Sequence, residues 1–149
     1  MIRFPYEPVL TRGTRAGTVE TTYRPMIPIQ LFGPAGDHEF TALVDTGADD
    51  TLFPDYLIRE LGVVIPANDY AAISGIEGSM TLVRYGTIDL LIPEAGGGYR
   101  WSARVGFHAG HRVALGHGGF LEYFTASFSG RGRHLTLTPN GNARPSVHR

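Results

Sequence analysis

The residues best suited to chemistry lie in one run, Ala42-Leu43-Val44-Asp45-Thr46-Gly47-Ala48-Asp49-Asp50-Thr51. It sets an aspartate, flanked by a hydroxyl and a glycine, at the end of an apolar segment. Two carboxylates held a few ångströms apart cannot both ionise, so they share a proton. One then acts as general base on a water while the other protonates a carbonyl oxygen. Gly47 has no Cβ and lets backbone amides approach the Asp45 carboxylate. Thr46 offers a small hydroxyl to lock the turn, and Leu43 and Val44 anchor the strand behind it. The chain carries a single Asp-Thr-Gly, so a carboxylate pair would need a second copy of the chain. By itself the tripeptide is also an ordinary turn; the elements around it must decide.

Those elements read as strands. Met26–Phe32 is apolar enough for one, with Pro28 favouring an edge or a bulge. Gly33–Asp37 is a turn cluster, and His38–Val44 a second strand that delivers the chain to Asp45. Pro54–Leu61 resembles a short helix, with proline in its first turn, Asp55 at the positive end of the dipole and Gly62 as a stop. Val63–Ile65 resumes extended structure. Tyr70–Ile73 and Thr81–Val83 flank Ser74-Gly75-Ile76-Glu77-Gly78-Ser79, a hairpin tip. Tyr85–Ile92 and Tyr99–Phe107 are strands around an open loop, Pro93–Gly98, and Trp101, Ala103 and Val105 share one face. His111–Leu115 leads into Gly116 and a helical turn around Phe120–Phe124. Thr125–Phe128 and His134–Thr138 close the pattern. Residues 1–25 read as an N-terminal extension, with an edge strand at Ile2–Phe4 and a loop or weak strand at Thr11–Thr22. Residues 26–139 form one domain, and 140–149 a disordered polar tail. The fold class is all-β: a small closed barrel with one or two short helices.

Composition narrows the partners. The 149 residues include 20 glycines and 10 prolines, as a turn-rich β protein requires. Every basic residue is arginine, and 13 of them face 14 carboxylates, a net charge of -1 that demands no nucleic-acid partner. The absence of cysteine excludes disulfides, thiol catalysis and cysteine-ligated metals. His108, His111 and His117 have ligand spacing only on a helix, and their stretch reads as loop and strand. They are taken as exposed loop residues, with no metal and no cofactor implied. Arg131 and Arg133 read as solvated charge, and Trp101 as core or cleft wall. No nucleophile elbow and no phosphate-binding glycine loop is present. Met1–Tyr6 lacks a signal pattern and no apolar run has the length of a membrane span, so a cytoplasmic protein without membrane contact is expected.

Three motifs in order resemble the retropepsin-type aspartic proteases, over about Ile27–Pro139. The first is Ala42–Thr51, close to that family's active-site loop. The second is Ala72–Ser79, in the place of its glycine-rich flap; Glu77 departs from the more glycine-rich tip. The third is Val113-Ala114-Leu115-Gly116 with the Phe120–Leu121 turn, in the place of the hydrophobic strand beneath the catalytic loop. Here His117 stands where many members carry an arginine, so a pairing with Asp49 would depend on pH.

The resemblance implies an acid-protease barrel and an aspartic endopeptidase acting as a homodimer on peptide or protein substrates. Asp45, Thr46 and Gly47 would be catalytic. Ala48, Asp49, Asp50, Ile73, Ser74, Gly75 and Ile76 would bind substrate, although Asp49 and Asp50 equally suit a solvated acidic pair. Leu115, Gly116 and His117 would support the loop. Terminal strands would join the protomers, with His134–Thr138 the candidate. Residues 1–25 fit either a pro-segment or a dimer surface. The alternative is a catalytically weak or inactive module that keeps the fold for dimerisation or peptide binding.

Overall fold

The computed structural model describes residues 1–74 and 78–147. In chain order its elements are β1 (Ile2–Pro5), β2 (Glu7–Arg12), β3 (Val19–Arg24), β4 (Met26–Gly33), β5 (Gly36–Val44), β6 (Leu52–Pro54), α1 (Tyr56–Leu61), β7 (Tyr70–Ser74), β8 (Met80–Glu94), β9 (Gly97–His108), β10 (Ala114–Leu115), β11 (Phe124–Ser129), β12 (His134–Pro139) and β13 (Arg144–Val147). The protein is all-β, and six strands close into a barrel. Around the ring run β4, β5, β10, β6, β9 and β8, and β8 returns to β4. Two of these ladders are parallel, β5 with β10 and β6 with β9.

Alternation of side chains builds the ring. Ile27, Ile29 and Leu31 of β4 point inward and are fully buried, with Ala42 and Val44 of β5 beside them. Ile88, Leu90 and Ile92 of β8 and Trp101, Ala103, Val105 and Phe107 of β9 complete one core. Each large apolar side chain so buried contributes about 1.5–3 kcal/mol. Pro28 causes no bulge: it lies in the continuous β4–β5 register, and the β8 ladder begins only at Gln30. That leaves the missing N–H of Pro28 outside the β8 pairing.

α1 follows directly from β6. Leu57 and Leu61, one turn apart, are both buried, and Gly62 ends the helix in the left-handed region at φ 67°. Pro54 closes β6 instead of opening the helix. Asp55 is the N-cap but makes no side-chain capping bond; its carboxylate lies 3.7 Å from Arg84.

Several sequence expectations are corrected. Thr81–Val83 and Tyr85–Ile92 form a single strand, β8: Met80–Arg84 pairs with β7, Arg84–Glu94 with β9 and Asp89–Leu91 with β4, so the β7 and β9 ladders meet at Arg84. The Pro93–Gly98 loop is a tight turn, with Glu94 opposite Gly97. Thr11–Thr22 belongs to a hairpin, β2 with β3. Phe120–Phe124 is a series of turns running into β11, so α1 is the single α-helix among the described residues. Val63–Ile65 joins no ladder. The polar tail is ordered over Arg144–Val147, which pairs with β9 from Gly97 to Arg100, and Ala143 is buried.

β12 is the central strand of a three-stranded sheet, hydrogen-bonded to β1 on one side and β11 on the other. Both of its edges are therefore occupied within one chain, and His134–Thr138 offers none to a second protomer. No helix among the described residues is long and apolar enough to cross a membrane.

Candidate active site

β5 carries the chain out of the barrel at Val44, and the loop that follows is stitched to the end of β10. Asp45 N–H donates to Leu115 O at 3.0 Å, His117 N–H to Ala48 O at 3.0 Å, and Gly118 N–H to Asp49 O at 2.8 Å. Thr51 N–H donates to Gly118 O at 2.9 Å, and Gly106 N–H of β9 to Thr51 O at 2.8 Å. The buried Thr51 hydroxyl accepts the Gly116 N–H at 3.2 Å. Gly116 must be glycine: a Cβ there would stand 2.3 Å from Asp50 O and 2.6 Å from Ala48 O, both backbone atoms.

The Asp45 carboxylate is held by both oxygens. Oδ1 accepts the Gly47 N–H at 2.9 Å, and a Cβ on Gly47 would crowd that oxygen at 3.2 Å. Oδ2 accepts from Arg112 Nη2 at 2.5 Å. Among the described residues no second carboxylate is hydrogen-bonded to Asp45. Arg112 is absent from the sequence expectations, since nothing in the polar stretch His108-Ala109-Gly110-His111-Arg112 singles it out.

Two histidines take other roles than expected. His108 is buried, not exposed. Its Nδ1 accepts the Gly110 N–H at 3.2 Å, so its Nε2 donates to Arg112 O at 2.7 Å. It thereby clamps the loop that presents Arg112. The His117 ring bonds Thr46 O through Nε2 at 2.8 Å, where a pairing with Asp49 was expected. His117 thus supports the Asp45 loop through a backbone carbonyl. Thr46 is exposed, and the hydroxyl that locks the loop belongs to Thr51 instead. His111 is exposed. Among the described residues no group of three or more His, Asp or Glu side chains has metal-binding geometry.

Asp50 is tied to the barrel. Tyr85 of β8 donates its hydroxyl to Asp50 Oδ2 at 2.8 Å. Burial first, and then this bond, push the phenol up to about 12. The Arg104 guanidinium stacks 3.9 Å above the Tyr85 ring and pairs with Asp69, which holds that carboxyl below its ordinary range. Asp49 remains exposed.

These residues open on a cleft of about 330 Å³, lined by Asp45, Gly47, Ala48, Asp49, Asp50, Leu52, Ile73, Ser74 and Arg112. The size suits a small-molecule or peptide side-chain site. The structure thus brings the Asp45 loop and the end of β7 together, while Leu115 and Gly116 lie behind the loop and Thr46 outside the lining. Gly75, Ile76 and Glu77, named for the flap, lie outside the described residues. Among the described residues β7 is the last strand of its sheet, with one edge unpaired, and its Ile73 and Ser74 line the cleft. Another hollow, of about 360 Å³ near Phe32, has its charges already matched, Arg100 with Asp89 at 2.9 Å.

Compared with protein-family models, curated proteins and solved structures, the chain matches none.

Proposed function

We propose that the protein is a retropepsin-like aspartic endopeptidase in which two protomers each contribute Asp45. The observation that carries this is the Asp45 loop itself. A carboxylate with a backbone amide on one oxygen is fixed by a double row of main-chain hydrogen bonds at the wall of a peptide-sized cleft. That rigidity is what general acid–base chemistry requires of its reacting groups. The free edge of β7 supports an extended peptide as substrate, because an unpaired strand edge offers main-chain donors and acceptors in register.

In this mechanism the two carboxylates share one proton. The ionised member takes a proton from water, whose oxygen attacks the peptide carbonyl carbon. The protonated member gives its proton to the carbonyl oxygen. Collapse of the resulting gem-diol breaks the C–N bond, and a proton passes to the departing amine. Gly47 holds the carboxylate through its N–H, and the Thr46 carbonyl ties the loop to His117. Ala48, Asp49, Asp50, Ile73 and Ser74, which line the cleft, contact the peptide. No metal, cofactor or acyl-enzyme takes part. The protomers meet through surfaces other than the edges of β12.

One observation favours a second reading, a peptide-binding module with little proteolysis: in the single chain Asp45 Oδ2 is already engaged by Arg112. Peptide cleavage by the wild type and by Asp45→Asn separates the two. The protease predicts cleavage by the wild type, lost in the variant with dimerisation and peptide binding retained. A binding module predicts that both bind and neither cleaves.

A further inference from the structure

Arg112 is the single cation among the described residues that line the cleft, which it shares with Asp45, Asp49 and Asp50. Its partner there is Asp45 Oδ2, at 2.5 Å. A guanidinium on Oδ2 takes one lone pair of that oxygen and stands in the space from which a second carboxylate or a water would reach it. Asp45 is most open to the chemistry proposed above when the Arg112 side chain has moved off it.

The backbone beneath Arg112 does not need to move. His108, buried, grips both Gly110 N–H and Arg112 O, so the loop is a fixed mount for a long and half-exposed side chain. Beside this mount lies a smaller hollow of about 130 Å³. Leu52, Ile73, Thr81 and Val83 line it together with His108 and Arg112, and Leu52, Ile73, Ser74 and Arg112 are common to it and the Asp45 cleft. A substrate side chain entering from the cleft would meet both aliphatic walls and a guanidinium. Glutamate fits that lining, with methylenes for Leu52, Ile73 and Val83 and a carboxylate for the planar fork of Arg112. Exchanging one Arg–carboxylate pair for another keeps the guanidinium paired, whereas withdrawing Arg112 from Asp45 for an apolar side chain would leave it without a carboxylate.

We propose that Arg112 is a specificity-determining residue that trades Asp45 for an acidic side chain of the substrate, so that peptides with Glu or Asp beside the scissile bond are preferred. This inference rests on the protease reading, and its test separates the two. Matched peptides carrying Glu or Gln at each position flanking the scissile bond are cleaved at about pH 6, where an ordinary glutamate is ionised. With the wild type, kcat/KM should favour Glu over Gln by about fivefold at one position, the size of a half-exposed ion pair, and the ratio should fall with added salt. Arg112→Gln should bring the ratio close to one, and Arg112→Lys should retain part of it, which guards against loss of folding in the first variant. Equal cleavage of Glu and Gln peptides by the wild type at every position overturns the proposal and leaves the protease reading standing. So does a preference that survives in Arg112→Gln. If the wild type cleaves no peptide of the set, the protease reading itself fails, and this inference with it.

Discussion

The loop Asp45–Thr51 and the hairpin β2–β3 are both excursions from the barrel, yet they are held in opposite ways. The loop carries the acidic residues of the cleft, and main-chain groups of Asp45, Thr46, Ala48, Asp49 and Thr51 bond to β10, β9 or the Gly116–Gly118 turn. Among the described residues the hairpin pairs only with itself, and β3 is exposed along its whole length. Leu10 is 76% exposed and Val19 67%. One cation–π contact, Arg133 over Tyr23 at 3.7 Å, links it to the β11–β12 turn. A two-stranded ribbon without a face packed on a core is marginal in water. The difference shows where precision is built into this molecule: around a single carboxylate, by backbone bonds that side-chain chemistry cannot easily replace.

That contrast can be broken or sharpened by substitution. The largest effect is expected at Asp45. Asp45→Asn should lower peptide cleavage by about 10²–10⁴-fold, the usual weight of a general acid–base group, with an unchanged melting profile and sedimentation behaviour. Gly116→Ala comes next, since its Cβ meets two backbone carbonyls that cannot swing aside. A loss of about 2–4 kcal/mol in urea unfolding is expected, and a variant as stable as the wild type would show that the loop is not pinned as described.

Tyr85→Phe should cost about 1 kcal/mol by freeing Asp50 Oδ2. Its pH dependence has a definite sign. The folded-state phenol titrates near 12, above the ordinary tyrosine value of 10.0, so the folded chain holds a proton that the unfolded chain releases first. The contribution is full below about pH 10 and disappears as pH rises toward 12. Stability of the wild type should therefore fall more steeply than that of Tyr85→Phe across this alkaline window. Finally, Leu10→Ser on the hairpin should change stability by no more than about 0.5 kcal/mol, and β2–β3 amides should exchange with solvent before those of Thr51 and Gly118. Slow exchange in the hairpin would mean that its open face is covered in solution.

Much of the barrel was legible because alternation is a local signal. Ile27, Ile29 and Leu31 announce β4, and Trp101, Ala103 and Val105 announce β9, from neighbours in the chain alone. The stop at Gly62 was legible for the same reason. β13 was not. Arg144-Pro145-Ser146-Val147 has no apolar rhythm and contains a proline, which lacks an N–H, yet it forms a ladder to Gly97–Arg100. Nor was the unity of β8, since only its three neighbouring strands make one ladder system out of two readable halves.

At the site the division is sharper. The sequence by itself determined that Asp45, with Gly47 beside it and Gly116 later in the chain, occupies a turn fit for a closely approached carboxylate, because small residues at fixed offsets constrain the backbone locally. Only the tertiary structure decided that Arg112 reaches Asp45 across 67 positions of chain, that His108 is buried to hold its loop, and that Tyr85 takes Asp50. Those contacts are made by long polar side chains between segments far apart in sequence. Where such a side chain ends is set by the closure of the barrel, and no local pattern carries that information.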